Sequence, residues 1–227
     1  MPRINSVIVN ESRNEDLKFK RRRMALVSEL REKGIKDNKV LEAIQNVPRH
    51  IFVDSALSDK AYMDTALPIE AEQTISQPFT VARQTELLQV ESGDKILEIG
   101  TGSGYQCAIL CEMGAKVFSI ERHKELYERS RILMRRLGYR ATLKAGDGTL
   151  GWTAYAPYQG IVVTAGAPVM PEDLFKQLEV EGKLIVPVGD DKKQIMHRIT
   201  RTSVDDYEDE HFSSFKFVPL IGEKGWR

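Results

Sequence analysis

The chain has 227 residues, of which 41% are hydrophobic and 7% aromatic, enough to bury the core of one large domain. Lysine plus arginine and aspartate plus glutamate each total 33, so the formal net charge is zero and long-range charge favours neither a nucleic acid nor an anionic membrane as partner. No run approaches the roughly 20 apolar residues of a membrane span, and residues 1–10 lack a signal-peptide pattern, so we expect a cytoplasmic protein. We also expect it to be a monomer.

Residues 1–23 are polar and charged, and we interpret them as a flexible or loosely helical extension of a single domain over 24–227. Residues 24–94 form the helical amino-terminal part of that domain. Apolar residues at helical spacing predict helices around 24–30, 40–47 and 81–88, the second capped by Asp37. Residues 62–78 have no clear period, and such a long irregular segment is typical of a functional loop.

Residues 95–190 alternate between strand and helix patterns. The predicted strands are 95–99, 116–121, 141–145, 160–164 and 183–188. The predicted helices between them are 105–113, 124–137 and 171–178. This alternation predicts an α/β fold with three α/β/α layers, in which a doubly wound, Rossmann-like and mostly parallel sheet lies between helices. Residues 191–227 differ, because 194–202 and 211–220 look like strands with no helix between them, which favours antiparallel edge strands.

A glycine-rich turn follows the first of these strands. Gly100, Gly102 and Gly104 allow the backbone to turn sharply and to approach a ligand closely, with the acidic Glu98 just before them. The third glycine of a dinucleotide motif would fall at the next position, which is Tyr105. The turn therefore favours a cofactor without a pyrophosphate.

Two further acids stand at the ends of the next two strands. Glu121 lies where a carboxylate can accept both ribose hydroxyls of an adenosine, and Asp147, before Gly148, can accept from an adenine amino group. Because the carboxyl ends of parallel strands meet in one crevice, the three motifs together indicate an adenosyl cofactor that lacks phosphates.

The sequence resembles the protein L-isoaspartate O-methyltransferase family from about Met24 to its end. The nucleotide motif 97–105 is nearly identical to the family's form. The other segments that carry the resemblance are Val47-Pro48-Arg49 with Phe52-Val53, 66–69, 73–78, Gly146-Asp147-Gly148 with Gly151-Trp152, 162–165 and 217–220.

The resemblance implies methyl transfer from S-adenosylmethionine, leaving S-adenosylhomocysteine, to the free α-carboxylate of L-isoaspartyl residues in peptides and proteins. It makes Ser76 the active-site residue. It implies cofactor contacts at Glu98, Gly100, Thr101, Gly102, Ser103, Gly104, Tyr105, Glu121, Arg122, Asp147 and Gly148, and substrate contacts at Thr74, Ile75, Ser76, Gln77, Val218 and Pro219. No metal is expected, and an already ionised carboxylate needs no general base.

The family usually carries glycines between Ile69 and Gln73, where this chain has Glu70-Ala71-Glu72. Loss of glycine restricts positive φ, and the two carboxylates would repel an acidic substrate if they faced it. Alternatives are therefore methylation of a small molecule or an RNA base, and a cofactor-binding protein without turnover. A nicotinamide oxidoreductase is disfavoured by Tyr105.

The remaining titratable candidates carry weaker signals. His50, His123, His197 and His211 are scattered along the sequence, and we interpret them as surface or structural residues. Cys107 and Cys111 are four apart in a predicted helix and are interpreted as packed apolar groups rather than metal ligands.

Overall fold

The computed structural model describes residues 17–226 and contains a seven-stranded sheet with the order β5-β4-β3-β6-β7-β8-β9. A separate two-stranded hairpin is formed by β1 and β2. The strands are β1 (Leu67–Pro68), β2 (Thr74–Ile75), β3 (Lys95–Ile99), β4 (Lys116–Glu121), β5 (Ala141–Ala145), β6 (Tyr158–Val163), β7 (Leu178–Gly189), β8 (Gln194–Arg201) and β9 (Tyr207–Phe215). Pairing is parallel from β5 to β7 and antiparallel from β7 to β9, which confirms the predicted sheet.

Six α-helices accompany these strands in the described part of the chain. They are α1 (Leu17–Glu32), α2 (Asn38–Asn46), α3 (Pro78–Leu88), α4 (Tyr105–Glu112), α5 (Lys124–Leu137) and α6 (Glu172–Phe175). The α2 helix begins where predicted, since the Asp37 side chain accepts from the backbone N–H of Lys39. None of these helices is both long and apolar enough to cross a bilayer.

Alternating strand residues build one hydrophobic cluster on each face of the sheet. Ile96, Val117 and Val162 pack against helices α1 to α5 on one face. Leu97 and Ile161 pack on the other face with Leu174 of the short α6. The parallel strands are thus covered on both sides, as the predicted three-layer arrangement requires.

Several boundaries differ from the predicted ones. The α1 helix begins at Leu17, so residues 17–23 of the predicted extension are helical, and Arg23 is buried; residues 1–16 lie outside the described residues. The α6 helix is shorter than predicted, and β9 runs over 207–215 rather than 211–220. The irregular segment 62–78 contains the β1–β2 hairpin, whose strands are too short to show a period.

Candidate active site

The turn after β3 forms the floor of a cleft at the carboxyl ends of the parallel strands. Gly100 has φ +93°, and a Cβ there would lie 2.5 Å from Thr164 Oγ1. That hydroxyl donates to the carbonyl of Gly100 over 2.6 Å and to that of Ile99 over 3.0 Å. The hydrogen bonds to Thr164 therefore fix the turn from the end of the neighbouring strand β6, and this position requires glycine.

Glu121, at the end of β4, lies against the same turn and is only 4% exposed. One carboxylate oxygen accepts from the backbone N–H of Gly102 over 2.7 Å, and the other accepts from that of His123 over 2.8 Å. Each carboxylate oxygen can accept a second hydrogen bond. The side chain is therefore both a support for the turn and an acceptor available to hydroxyl groups in the cleft.

Glu98 lies beneath the turn and does not line the cleft. The family resemblance had implied a contact between this side chain and the cofactor. Its carboxyl is fully buried and accepts from Ser119 Oγ over 2.5 Å, and Ser119 in turn lies 2.5 Å from Thr101 Oγ1. Burial raises the pKa of Glu98 to about 8, against the opposing effect of the Ser119 hydrogen bond. The side chain is therefore protonated at neutral pH and supports the turn from below.

Glu98→Gln should become steadily more stable than the wild type as the pH rises from 5 to 8. Between the ordinary pKa of 4.5 and the folded-state pKa of about 8, the folded protein keeps a proton that the unfolded chain releases. Wild-type stability therefore falls with rising pH in this window, by on the order of 1 kcal/mol per pH unit from this group, and glutamine removes the effect. Urea unfolding of the cofactor-free protein at several pH values would measure the difference, with exposed Glu125→Gln as control. Parallel curves for Glu98→Gln and wild type would contradict the assignment.

Asp147 is not among the residues that line the cleft, whereas Gly148 is. The Asp147 carboxylate accepts from the backbone N–H and hydroxyl of Thr149 and, over 2.7 Å, from the backbone N–H of Glu223. Partial burial raises the pKa of Asp147, but these hydrogen bonds outweigh burial and leave the pKa below its ordinary value. In this structure Asp147 anchors the carboxyl-terminal segment behind the cleft.

The β1–β2 hairpin covers the cleft, and its turn contains the residues that depart from the family pattern. The backbone N–H of Gln73 donates to the carbonyl of Glu70, and the two central residues, Ala71 and Glu72, have φ 56° and 57°. Positive φ at both central positions is the pattern of a type I′ turn, which normally selects glycine or asparagine. The turn therefore keeps a left-handed backbone without glycine, while Glu70 forms an ion pair with Arg129 of α5.

Glu72→Gly is expected to stabilise the protein by about 1 kcal/mol and to raise Tm by about 2–4 °C, because a left-handed non-glycine residue is strained. Differential scanning calorimetry would measure the shift. Glu72→Ala removes the same exposed charge without relieving the backbone, and it should give no comparable gain. Glu181 of β7 also has a positive φ, of 68°, so Glu181→Gly should relieve the same kind of backbone strain at a position away from the cleft. Equal Tm values for the glycine and alanine variants at position 72 would show that the turn is unstrained.

Ser76 lies between the hairpin and α3, where the cleft meets a second groove. Its carbonyl accepts from Arg49 Nη2 over 2.8 Å, while Arg49 Nε donates to the carbonyl of Ala61 over 2.9 Å. Arg49 is fully buried with its guanidinium 4.8 Å from the centre of the Tyr105 ring. Burial lowers the pKa of Arg49 to about 10, so the cation persists at neutral pH. In the described part of the chain, the Ser76 hydroxyl has no hydrogen-bond partner.

The segment after β9 forms the opposite wall. The Val218 carbonyl accepts from the backbone N–H of Gly166 over 2.8 Å, and the backbone N–H of Leu220 donates to the carbonyl of Gly166 over 2.9 Å. These bonds hold Val218 and Pro219 beside the end of β6. Val218 lines both the cleft and the groove, so the two cavities adjoin at this wall.

Most of the predicted site residues meet in this cleft. Its lining includes Thr74, Ile75, Ser76, Gly100, Thr101, Gly102, Ser103, Tyr105, Glu121, Arg122, Gly148, Val218 and Pro219. Gln77 lines the adjoining groove, whereas Glu98, Gly104 and Asp147 line neither cavity.

Sequence reasoning assigned no role to three residues that shape the site. Thr164 and Arg49 position the turn and Ser76, and both stand in segments of the family resemblance, which was the available signal. His123 lines the cleft. His197 and His211 are far apart in the sequence, but the fold places their rings 4.3 Å apart on paired strands.

Comparisons with known proteins agree with this geometry. The family Protein-L-isoaspartate(D-aspartate) O-methyltransferase (PCMT) matches residues 21–225. The chain is 54% identical over 220 residues to the protein-L-isoaspartate O-methyltransferase of Salinibacter ruber, covering 92% of this chain and 96% of that protein. It is 47% identical over 211 residues to the protein of the same name from Dictyoglomus turgidum, covering 92% and 96%.

Two solved structures share the fold over most of the chain. A protein-L-isoaspartate O-methyltransferase superposes with a TM-score of 0.81 at 27% identity, covering 89% of this chain and 67% of that chain. A beta-aspartate methyltransferase (PCMT) structure from Plasmodium falciparum, in complex with S-adenosyl-L-homocysteine, superposes with a TM-score of 0.75 at 24% identity, covering 88% and 98%.

Proposed function

Because the chain belongs to the protein-L-isoaspartate(D-aspartate) O-methyltransferase family, we propose that the cleft and groove carry out its methyl transfer, with Ser76 orienting the acceptor. The protein is an S-adenosylmethionine-dependent methyltransferase that esterifies the free α-carboxylate of L-isoaspartyl residues in damaged peptides and proteins. The position of Ser76, at the junction of the cofactor cleft and the groove, carries the assignment of roles.

The donor set of the cleft fits an adenosyl cofactor. The Glu121 carboxylate has acceptor capacity left for ribose hydroxyls, and Arg122 and Gly148 complete the wall beside it. The turn at 100–104 leads into the amino terminus of α4, where the backbone N–H of Tyr105 donates to Ser103 Oγ and so ties the helix start to the turn. Glu98 and Asp147 support the turn and the carboxyl-terminal segment rather than touching the ligand.

When bound, S-adenosylmethionine supplies an activated methyl group for in-line attack by a carboxylate oxygen. The Ser76 hydroxyl donates a hydrogen bond to the substrate carboxylate and holds one oxygen in the direction of attack. A carboxylate with a pKa near ~4 is already ionised at neutral pH, so no side chain has to remove a proton. The apolar walls, which include Ile75, Val81 and Leu126, exclude water and favour a step that disperses charge.

The groove next to Ser76 fits the peptide that carries the isoaspartyl residue. Lys192, Lys193 and Lys216 line it, so its field favours a substrate with a free carboxylate. Residues 213–218 form one wall beside Thr74 and Gln77. An extended peptide lies along this wall and directs its carboxylate past Ser76 into the cleft. Glu70 is held by Arg129, so its charge is partly neutralised and does not oppose the substrate.

Esterification starts repair, because the uncharged ester carbonyl can be attacked with loss of methanol, whereas the ionised carboxylate resists attack and has only a poor leaving group. The neighbouring amide nitrogen then closes a succinimide, and hydrolysis of that ring returns part of the product to normal aspartate. The enzyme has to supply only the ester, since the later steps need no catalyst.

The predicted monomeric state, the cytoplasmic location and the absence of a catalytic metal stay proposals. Light scattering of the purified protein would test the monomeric state.

Two peptides that differ only in isoaspartate against aspartate at one site test the function. Incubation with methyl-labelled S-adenosylmethionine should place base-labile label on the isoaspartyl peptide alone. Label on neither peptide, with cofactor binding intact, would favour another acceptor or a protein without turnover. Label on both would contradict recognition of the rearranged linkage.

A further inference from the structure

Two histidines and an aspartate meet on the outer two strands of the sheet, away from the cleft. His197 of β8 and His211 of β9 are direct partners in the strand register, and Asp209 lies two residues before His211 on the same face. His197 Nδ1 lies 3.0 Å from Asp209 Oδ1, and His211 Nε2 lies 3.1 Å from Asp209 Oδ2. One potential ligand atom from each residue lies within 4.8 Å of the other two.

This spacing is close to that of ligands around one tetrahedral ion. Zn–N and Zn–O bonds of about 2.0–2.1 Å place neighbouring ligand atoms roughly 3.3 Å apart. The two histidine–aspartate separations are already near that value, so small side-chain rotations would bring all three atoms onto one ion. Two imidazoles and a carboxylate suit Zn²⁺ and similar divalent transition metals better than Mg²⁺ or Ca²⁺.

The three side chains of the cluster differ in how much of their surface is exposed to solvent. The His197 side chain is 13% exposed, whereas those of Asp209 and His211 are 39% and 61% exposed. The site thus has one ligand fixed against the sheet and an open side through which an ion can enter. The β8–β9 pairing is irregular between Ile195 and His197: Ile195 pairs with Ser214 but His197 pairs with His211, so β9 carries one extra residue there, and this shift places His211 opposite His197.

We propose that His197, Asp209 and His211 form a binding site for a divalent transition-metal ion, Zn²⁺ foremost, which fastens β9 to β8. In the described part of the chain β9 is the edge strand and pairs only with β8. It leads directly into residues 215–218, which line the groove next to Ser76. The ion therefore strengthens the attachment of the strand that carries one wall of the groove, and it takes no part in methyl transfer.

Tag-free protein, stripped with a chelator and dialysed, tests this site with metal alone. Titration with Co²⁺, followed by its visible absorption, and calorimetric titration with Zn²⁺ should each give one site per chain. Asp209→Ala and His211→Ala should each weaken binding by at least ~10-fold, because each removes a ligand. His50→Ala, which removes a histidine that lines neither cavity, should bind the metal as the wild type does.

Thermal unfolding gives a second measurement that does not depend on activity. Zn²⁺ should raise the Tm of the wild type and of His50→Ala, and leave that of Asp209→Ala and His211→Ala unchanged. Circular dichroism without metal establishes that the variants are folded. Absence of binding by the wild type, or equal affinity in the wild type and both ligand variants, would overturn the proposal.

Discussion

Ser76→Ala is expected to lower kcat/KM for an isoaspartyl peptide by about 10²-fold, while the Kd for S-adenosylmethionine stays near its wild-type value. The hydroxyl has no partner within the described chain and lies where the cleft and the groove meet, and in the proposed function it binds the substrate carboxylate. Loss of one preorganised donor typically costs ~10²–10³-fold in rate. Steady-state kinetics with a single isoaspartyl peptide, together with calorimetric titration of the cofactor, would measure both quantities.

Ser214→Ala is the matched control, because Ser214 lines the groove without reaching the cleft. It should change kcat/KM by only a few-fold. Ser76→Thr keeps the hydroxyl and should recover part of the lost activity, which a role limited to loop stability would not explain. Unchanged kcat/KM in Ser76→Ala would leave Ser76 as a turn residue before Pro78, and the positioning of the carboxylate would have to be assigned elsewhere.

Local patterns predicted the cofactor half of the site because its geometry is set within short segments. A strand, three glycines and a helix start follow one another from Lys95 to Tyr105, and Glu121 ends the next parallel strand in register. The carboxyl ends of neighbouring parallel strands must meet, so the sequence alone brought these residues to one crevice.

Contacts between distant segments decided the features that sequence patterns did not predict. The Asp147 carboxylate accepts from the backbone N–H of Glu223, a residue 76 positions along the chain, and no local pattern indicates this contact. The β1–β2 hairpin was missed because its turn has Ala71 and Glu72 in place of glycine, and its strands have two residues each. His197 and His211 look unrelated in sequence until the β8–β9 register pairs them.

The environment of the Glu98 side chain is another feature that sequence patterns did not predict. The sequence shows an acid two residues before the first glycine, which suggested a ligand contact. Only the fold reveals that its side chain points into the sheet toward Ser119, where burial keeps it protonated. The face of the sheet on which a strand residue lies depends on how its strand pairs with both neighbouring strands. A register shift of one residue would move a side chain from the pocket to the core.

Glu121→Ala is expected to weaken binding of S-adenosylmethionine by about 10²-fold or more. The substitution leaves the buried N–H groups of Gly102 and His123 without their acceptor and also removes the proposed ribose contact. Hydrogen bonds to a charged group contribute roughly 1.5–3 kcal/mol each, and a loss near 3 kcal/mol corresponds to about two orders of magnitude in Kd. Calorimetric titration with S-adenosylhomocysteine would measure the change without turnover.

Comparison of the two ligand fragments adenosine and methionine separates the two roles of Glu121. If the carboxylate binds the ribose, adenosine should lose affinity in Glu121→Ala as strongly as the whole cofactor does. If it only supports the turn, the loss should be shared by both fragments, since the turn at 100–104 lies under the whole ligand. Glu125→Ala removes an exposed acid in the first turn of α5, and this variant should bind the cofactor as the wild type does. Wild-type affinity in Glu121→Ala would contradict both roles and would place the ribose on another acceptor of the cleft.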